Sequence, residues 1–210
     1  MVKKLMISVL TGALMLMFTS AAMAGINTFS INFAPGGEAE VDGFDCDLSQ
    51  LQFGLTVPVN SQLEFNGELS TGELDGYYNG DTTCIKVKGD YRIFEDRKVR
   101  LDAACGFYQR SLDWPDYKIN SLFAGIDCRY RFDSKLSVYT GLGIGLLSNE
   151  KSYGREGDPE SLYLFHLKFN YLLSPRLGLS LGYTNESFNS ERLLEDNYYK
   201  GFNAGVFFRF

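Results

Sequence analysis

Gly201-Phe202-Asn203-Ala204-Gly205-Val206-Phe207-Phe208-Arg209-Phe210 decides the fold. Phe202, Ala204, Val206, Phe208 and Phe210 fall on one face of an extended strand; Asn203, Gly205 and Arg209 fall on the other. An oily side and a wet side, alternating up to an aromatic carboxyl end, read as a membrane strand with lipid on one flank and a polar lumen on the other.

At the other end, Lys3 and Lys4 precede an apolar run from Leu5 to Phe18, and Ser20-Ala21-Ala22-Met23-Ala24 supplies small residues. This predicts a cleaved export signal over 1–24 and a single barrel domain over 25–210. The run is shorter than the roughly 20 residues of a spanning helix. Removing the leader, with its two lysines and no acid, takes the formal charge from −6 to −8. An acidic chain without a basic cluster argues against nucleic acid as a partner.

Ten strands are expected, near 26–34, 46–57, 62–72, 82–94, 98–109, 118–132, 135–148, 161–172, 176–188 and 199–210. Most reach the about 9 to 11 residues that a tilted strand needs to cross a bilayer. Short connections (58–61, 95–97, 133–134, 173–175) alternate with long ones (35–45, 73–81, 110–117, 149–160, 189–198). That alternation puts tight turns on the periplasmic side and long loops outside. The fold class is therefore all-β: a closed antiparallel up-and-down transmembrane barrel of ten strands. With the segment before Cys46 as a tail, the count would be eight.

The faces differ throughout. Leu51, Phe53 and Leu55 oppose Gln50, Gln52 and Gly54; Leu122 and Ile126 oppose Ser121 and Asp127; Leu142 and Ile144 oppose Gly141, Gly143 and Gly145. Aromatics such as Tyr163, Tyr183 and Tyr198 at one end, and Tyr91, Tyr130 and Phe169 at the other, fit the belts at a bilayer's two interfaces.

The leader, the short turns and the closing Gly205-Val206-Phe207-Phe208-Arg209-Phe210 resemble small bacterial outer-membrane barrels of the OmpX, OmpA and opacity-protein type. The resemblance implies an outer-membrane location. It also implies that Val206, Phe208 and Phe210 form a signal read by the insertion machinery. Lipids and lipopolysaccharide would be the surroundings. Those families mostly have eight strands, so ten is a departure.

The lumen is expected to hold a charge network of Glu64, Glu68, Lys86, Lys88, Asp90, Arg92, Arg100, Asp102, Asp127, Arg129, Arg131, Lys168, Glu186 and Arg209. Buried charges need partners, so salt bridges that fill the barrel are favoured over a charged constriction. Barrels of about eight strands are filled, and ten lies near that end. The role this gives is structural or surface-interactive in the envelope, with a narrow porin-like channel as the first alternative. A lipid- or peptide-processing enzyme is the second. His166, the single histidine, faces the lumen beside no serine or aspartate in a pattern that barrel hydrolases use, so no catalytic residue is assigned. No cofactor or metal is expected; the acidic stretch from Asp42 to Asp47 lacks the ligand spacing of a calcium loop. Of four cysteines, Cys105 and Cys128 fall on the lipid face. Cys46 and Cys84 fall on the lumen face, where they are either bridged or reduced.

Overall fold

A computed structural model describes residues 26–41, 43–77, 79–113, 117–152, 155–157, 159–190 and 197–210. The expected signal segment lies outside these residues. Eleven strands run in chain order: β1 (Thr28–Val41), β2 (Phe44–Pro58), β3 (Leu63–Gly76), β4 (Gly80–Glu95), β5 (Val99–Leu112), β6 (Tyr117–Arg131), β7 (Leu136–Ser152), β8 (Arg155–Gly157), β9 (Pro159–Leu172), β10 (Leu177–Ser190) and β11 (Asn197–Arg209).

Ten of them form the wall. Each pairs antiparallel with its sequence neighbour, β7 passes to β9, and β1 closes on β11. The short β8 adds only a three-residue arm to β7. The segment before Cys46 is part of the wall, since Thr28 to Phe33 pair with β2 on one side and β11 on the other. Eight strands are thereby excluded.

The strands are strongly staggered. The row of partners starting at Val57, near the inner end of β2, runs through Phe65, Gly89, Cys105, Ala124, Ile144, Tyr163, Ser187 and Tyr198. It arrives at Glu40, near the outer end of β1. Such stagger accompanies the tilt that closes a sheet into a barrel.

The strands also run further outward than the sequence suggests. β1 continues past Pro35-Gly36-Gly37 to Val41, because that triplet forms a bulge rather than a loop. Gly37 makes the bulge feasible: a Cβ there would sit 2.8 Å from the Lys200 carbonyl. Val41 then pairs with Phe44 across a tight turn in which Gly43 takes a φ of 79°. The expected long connections 35–45 and 73–81 are thus mostly strand. Two further bulges turn adjacent apolar residues outward together, Ile93 with Phe94 and Leu146 with Leu147.

On several strands, β2, β3 and β6 among them, the sense of the alternation reverses. On β6, Leu122 and Ile126 face outward while Asp127 is buried in the lumen. Above Leu122 the pattern inverts: Tyr117 and Ile119 are buried inside, and Lys118 and Asn120 face out. β3 does the same, with Leu74 inside and Glu73 and Asp75 outside, as does β2, with Leu48 inside and Asp47 outside. The lower part is therefore built as a membrane barrel. The outer part is built as a water-coated collar with an oily interior. From Leu122 to Phe132 the oily outer band spans ten steps, about 25 Å in height once strand tilt is allowed for.

All four inner turns share one device. The first turn residue accepts hydrogen bonds from the amides two and three positions on. Asn60 Oδ1 takes Gln62 and Leu63 at 2.8 and 2.9 Å, and Asp96 Oδ1 takes Lys98 and Val99, both at 2.7 Å. Asp133 Oδ1 takes Lys135 and Leu136 at 2.6 and 2.7 Å, and Ser174 Oγ takes Arg176 and Leu177 at 3.3 and 3.1 Å. These amide donors hold the Asp96 and Asp133 carboxyls below the usual aspartate range. A carboxyl lowered on folding stabilises above its unfolded pKa, and that contribution disappears as pH falls through the folded value. Acidification should therefore speed amide exchange at Lys98, Val99, Lys135 and Leu136, relative to the intrinsic rate. The Asn60 and Ser174 turns, which carry no titrating acceptor, should not follow. Equal protection loss in all four would refute the assignment.

Candidate functional site

The lumen is the site that the fold creates, and it is layered. Nearest the inner mouth, Arg100 donates to Asp102 Oδ1 at 2.8 Å and to Glu64 Oε2 at 3.2 Å, and Arg129 reaches Glu64 Oε1 at 3.5 Å. Register brings Arg100 beside Arg129 and Asp102 beside Asp127 on β5 and β6. Like charges side by side require opposite charges across the lumen, and Glu64 supplies one.

The middle layer centres on Lys88. Its ammonium pairs with Asp127, lies 3.2 Å from Asp90 Oδ2 and donates to the Tyr139 hydroxyl at 2.8 Å. Tyr139 donates onward to Asp127 Oδ2 at 2.6 Å, and Asn66 donates to Asp90 Oδ2 at 2.6 Å. His166 stacks on Tyr139 with ring centroids 4.8 Å apart, its Nε2 3.6 Å from Asp127 Oδ1. Gly141 makes room for this group, because a Cβ there would run into Asp127 and into the His166 ring.

The upper layer centres on Glu186. It pairs with the Arg110 guanidinium, accepts from Tyr108 at 2.8 Å and lies 3.6 Å from Lys86, which also faces Glu68 at 3.6 Å. Arg110 further donates to Thr82 at 3.2 Å and lies against the Tyr199 ring, 4.1 Å from its centroid.

Above the charges lies an apolar plug containing Val41, Leu48, Leu74, Leu112, Tyr117, Ile119, Phe123, Leu162, Phe188 and Tyr199. Tyr117 stacks on Phe188 at 5.5 Å, and Phe188 on Tyr199 at 6.1 Å. Tyr108, Ile119 and Phe188 have no solvent exposure. The glycine face of β7 is no open track either. A Cβ on Gly143 would meet Phe123 at 3.3 Å, and one on Gly145 would meet Leu162 at 2.9 Å. A cavity lined by Gln50, Arg110, Glu186 and Tyr199 measures about 10 Å³, room for about one water.

Of the fourteen expected lumen charges, ten fall into these three layers. Arg92 instead pairs with Glu95 at the inner rim. No carboxylate of the described residues comes within ion-pair distance of Lys168, Arg131 or Arg209. Arg110, the most enclosed cation among the described residues, falls by sequence in the expected connection 110–117, whereas the structure places it on β5 facing the lumen. Val206 faces outward with Phe208 and Phe210, which are both about half exposed.

The cysteine bridge is not formed. Cys46 and Cys84 are buried thiols in no disulfide, and neither Cys105 nor Cys128 is bridged. The register explains it: Cys46 lies opposite Gly76 and Cys84 opposite Ser70, six positions apart on β3 or about 20 Å along the strand. Thiol titration in denaturant should count four thiols before any reductant is added.

These features define the class: a closed ten-strand up-and-down barrel with an oily outer band and a filled lumen. An outer-membrane channel from Pseudomonas putida F1 has this fold, at a TM-score of 0.57 and 12% identity, over 88% of this chain and 94% of that one. Two further matches are weaker. Ail of Yersinia pestis aligns at a TM-score of 0.40 and 13% identity, over 90% of this chain and 100% of its own. Neisserial surface protein A aligns at 0.42 and 11%, over 89% and 98%. At such identities the likeness concerns fold alone. No protein-family model matches the chain, and no curated protein matches it.

Proposed function

We propose that this chain is a non-conducting scaffold of the bacterial outer membrane, which holds a rigid, water-coated collar above the bilayer and presents its outer hairpins to the surroundings. One observation carries this reading: the lumen is stoppered at its outer end by packed aromatic and aliphatic side chains, and ion-paired beneath them. A conducting path would need water where Tyr108, Ile119 and Phe188 have none. In this reading the leader directs export and is removed. Lipids and lipopolysaccharide surround the barrel, and Val206, Phe208 and Phe210 are read by the insertion machinery.

A second reading is a narrow channel, as the Pseudomonas putida protein is an outer-membrane channel. Purified, refolded protein in planar bilayers separates the two. Silence at applied voltages supports the scaffold, and steady single-channel steps overturn it. No catalytic role is proposed for His166, whose neighbours Asp127 and Tyr139 are bound into the Lys88 cluster.

A further inference from the structure

The collar carries a groove on its outer wall, across β9, β10 and β11. It measures about 400 Å³ and is lined by Tyr163, Asn185, Ser187, Asn189, Tyr198 and Lys200 among others. The register sets its plan. Ser187 lies between Tyr163 on β9 and Tyr198 on β11, and one step nearer the membrane Asn185 lies beside Lys200. Tyr163 and Tyr198 are thus two strands apart, about 10 Å, a gap wide enough for one sugar ring. Asn185 Oδ1 is shielded from water yet accepts no hydrogen bond among the described residues. A shielded, unused acceptor calls for a donor.

Height identifies the occupant. Immediately below the groove, Tyr183 packs against Phe165 and Phe202, with centroids 6.3 and 5.1 Å apart. Below these, Leu179 and Leu181 face the hydrocarbon. On β10 the outward face thus changes from leucine through an aromatic girdle to Asn185, Ser187 and Asn189 within a few residues. A molecule seated here has its chains beside the leucines and its head among amides, hydroxyls, tyrosine rings and one ammonium. The amides and hydroxyls suit sugar hydroxyls, the rings suit sugar faces, and Lys200, now 2.9 Å from the exposed Glu38, suits an anionic substituent. We infer that this groove is a binding site for the hexose headgroup of an outer-leaflet glycolipid. The inference goes beyond the scaffold reading and holds whether or not the lumen conducts.

The test compares amide chemical shifts of the refolded protein in three settings: phosphatidylcholine nanodiscs, the same nanodiscs containing a short-chain lipopolysaccharide, and phosphatidylcholine nanodiscs with its delipidated sugar free in solution. Shifts confined to the outer ends of β9–β11, seen with the lipid-linked sugar and weakened roughly tenfold in affinity by Ser187→Trp, support the site. Thr83→Trp, on the outward face of β4 across the barrel, should leave them unchanged. Both variants are checked for barrel closure by heat-modifiable gel migration, and Asn185→Leu replaces Ser187→Trp should the latter fail to close. Three outcomes would overturn the proposal: no shifts, shifts spread evenly around the barrel, or equal affinity for the free sugar. Silent bilayers bear on the scaffold reading alone, so the two failures are distinguishable.

Discussion

Replacing Arg110 with alanine should destabilise the barrel by about 3 kcal/mol, near the lower end of what breaking a buried ion pair costs. Arg110 is 1% exposed, and its guanidinium serves Glu186, Tyr108 and Thr82 together. Its loss strands Glu186 in a water-poor layer. Lys86, 3.6 Å from the same carboxylate, keeps part of the compensation, which is why the lower end applies. Neutralising both partners, Arg110→Ala with Glu186→Gln, removes the stranded charge and should cost less than the two single changes added together. Urea unfolding in lipid vesicles, scored by heat-modifiable migration, measures all three variants. Strict additivity would show that the pair is uncoupled and the layer wrongly drawn.

Cutting the plug should have a larger and different effect. Phe188→Ala and Tyr199→Ala each remove a ring with almost no exposure, a truncation that costs about 3–5 kcal/mol in a close-packed core. Together they dismantle the stack running from Tyr117 to Tyr199 and uncover the Arg110–Glu186 layer to the outer mouth. Where the wild type is silent in planar bilayers, this double variant should show flickering openings. Removing two rings widens the outer end but leaves the Lys88 and Arg100 layers in place, so steps should be small. A double variant that folds, closes on a gel and stays silent would place the true barrier in the charged layers.

How much of this was legible in the sequence follows from what each flank of a strand touches. Between Leu51 and Val57, or Leu136 and Ile144, hydrocarbon lies on one side and polar residues or glycines on the other, so period two stands out at full contrast. The inward directions of Lys88, Asp127 and Glu186 follow from that parity alone. Contrast fails in the collar, where the outer face is wet and the inner face mixes Leu112 with Arg110 and Cys84 with Thr82. There the strands read as polar loops, and Arg110 and the plug go unseen. The reversal has a signal nonetheless: Tyr117, Ile119 and Ser121 keep strict spacing while the oily parity switches at Leu122. Pro35-Gly36-Gly37 hid the continuation of β1 because proline and glycine ordinarily end strands, and only cross-strand pairing on both sides shows a bulge. The spatial relation of Cys46 to Cys84 depends on the stagger between strands, which parity does not encode.

The switch of hydropathic sense also gives the barrel a waterline. Sinking it by a residue or two would drag Asp47, Glu73, Asp75 and Lys118 toward acyl chains, and lifting it would wet Leu122, Leu142 and Phe202. Vertical drift is therefore resisted in both directions around the whole circumference. In a bilayer thicker or thinner than its band, the lipid must stretch or compress to meet the protein.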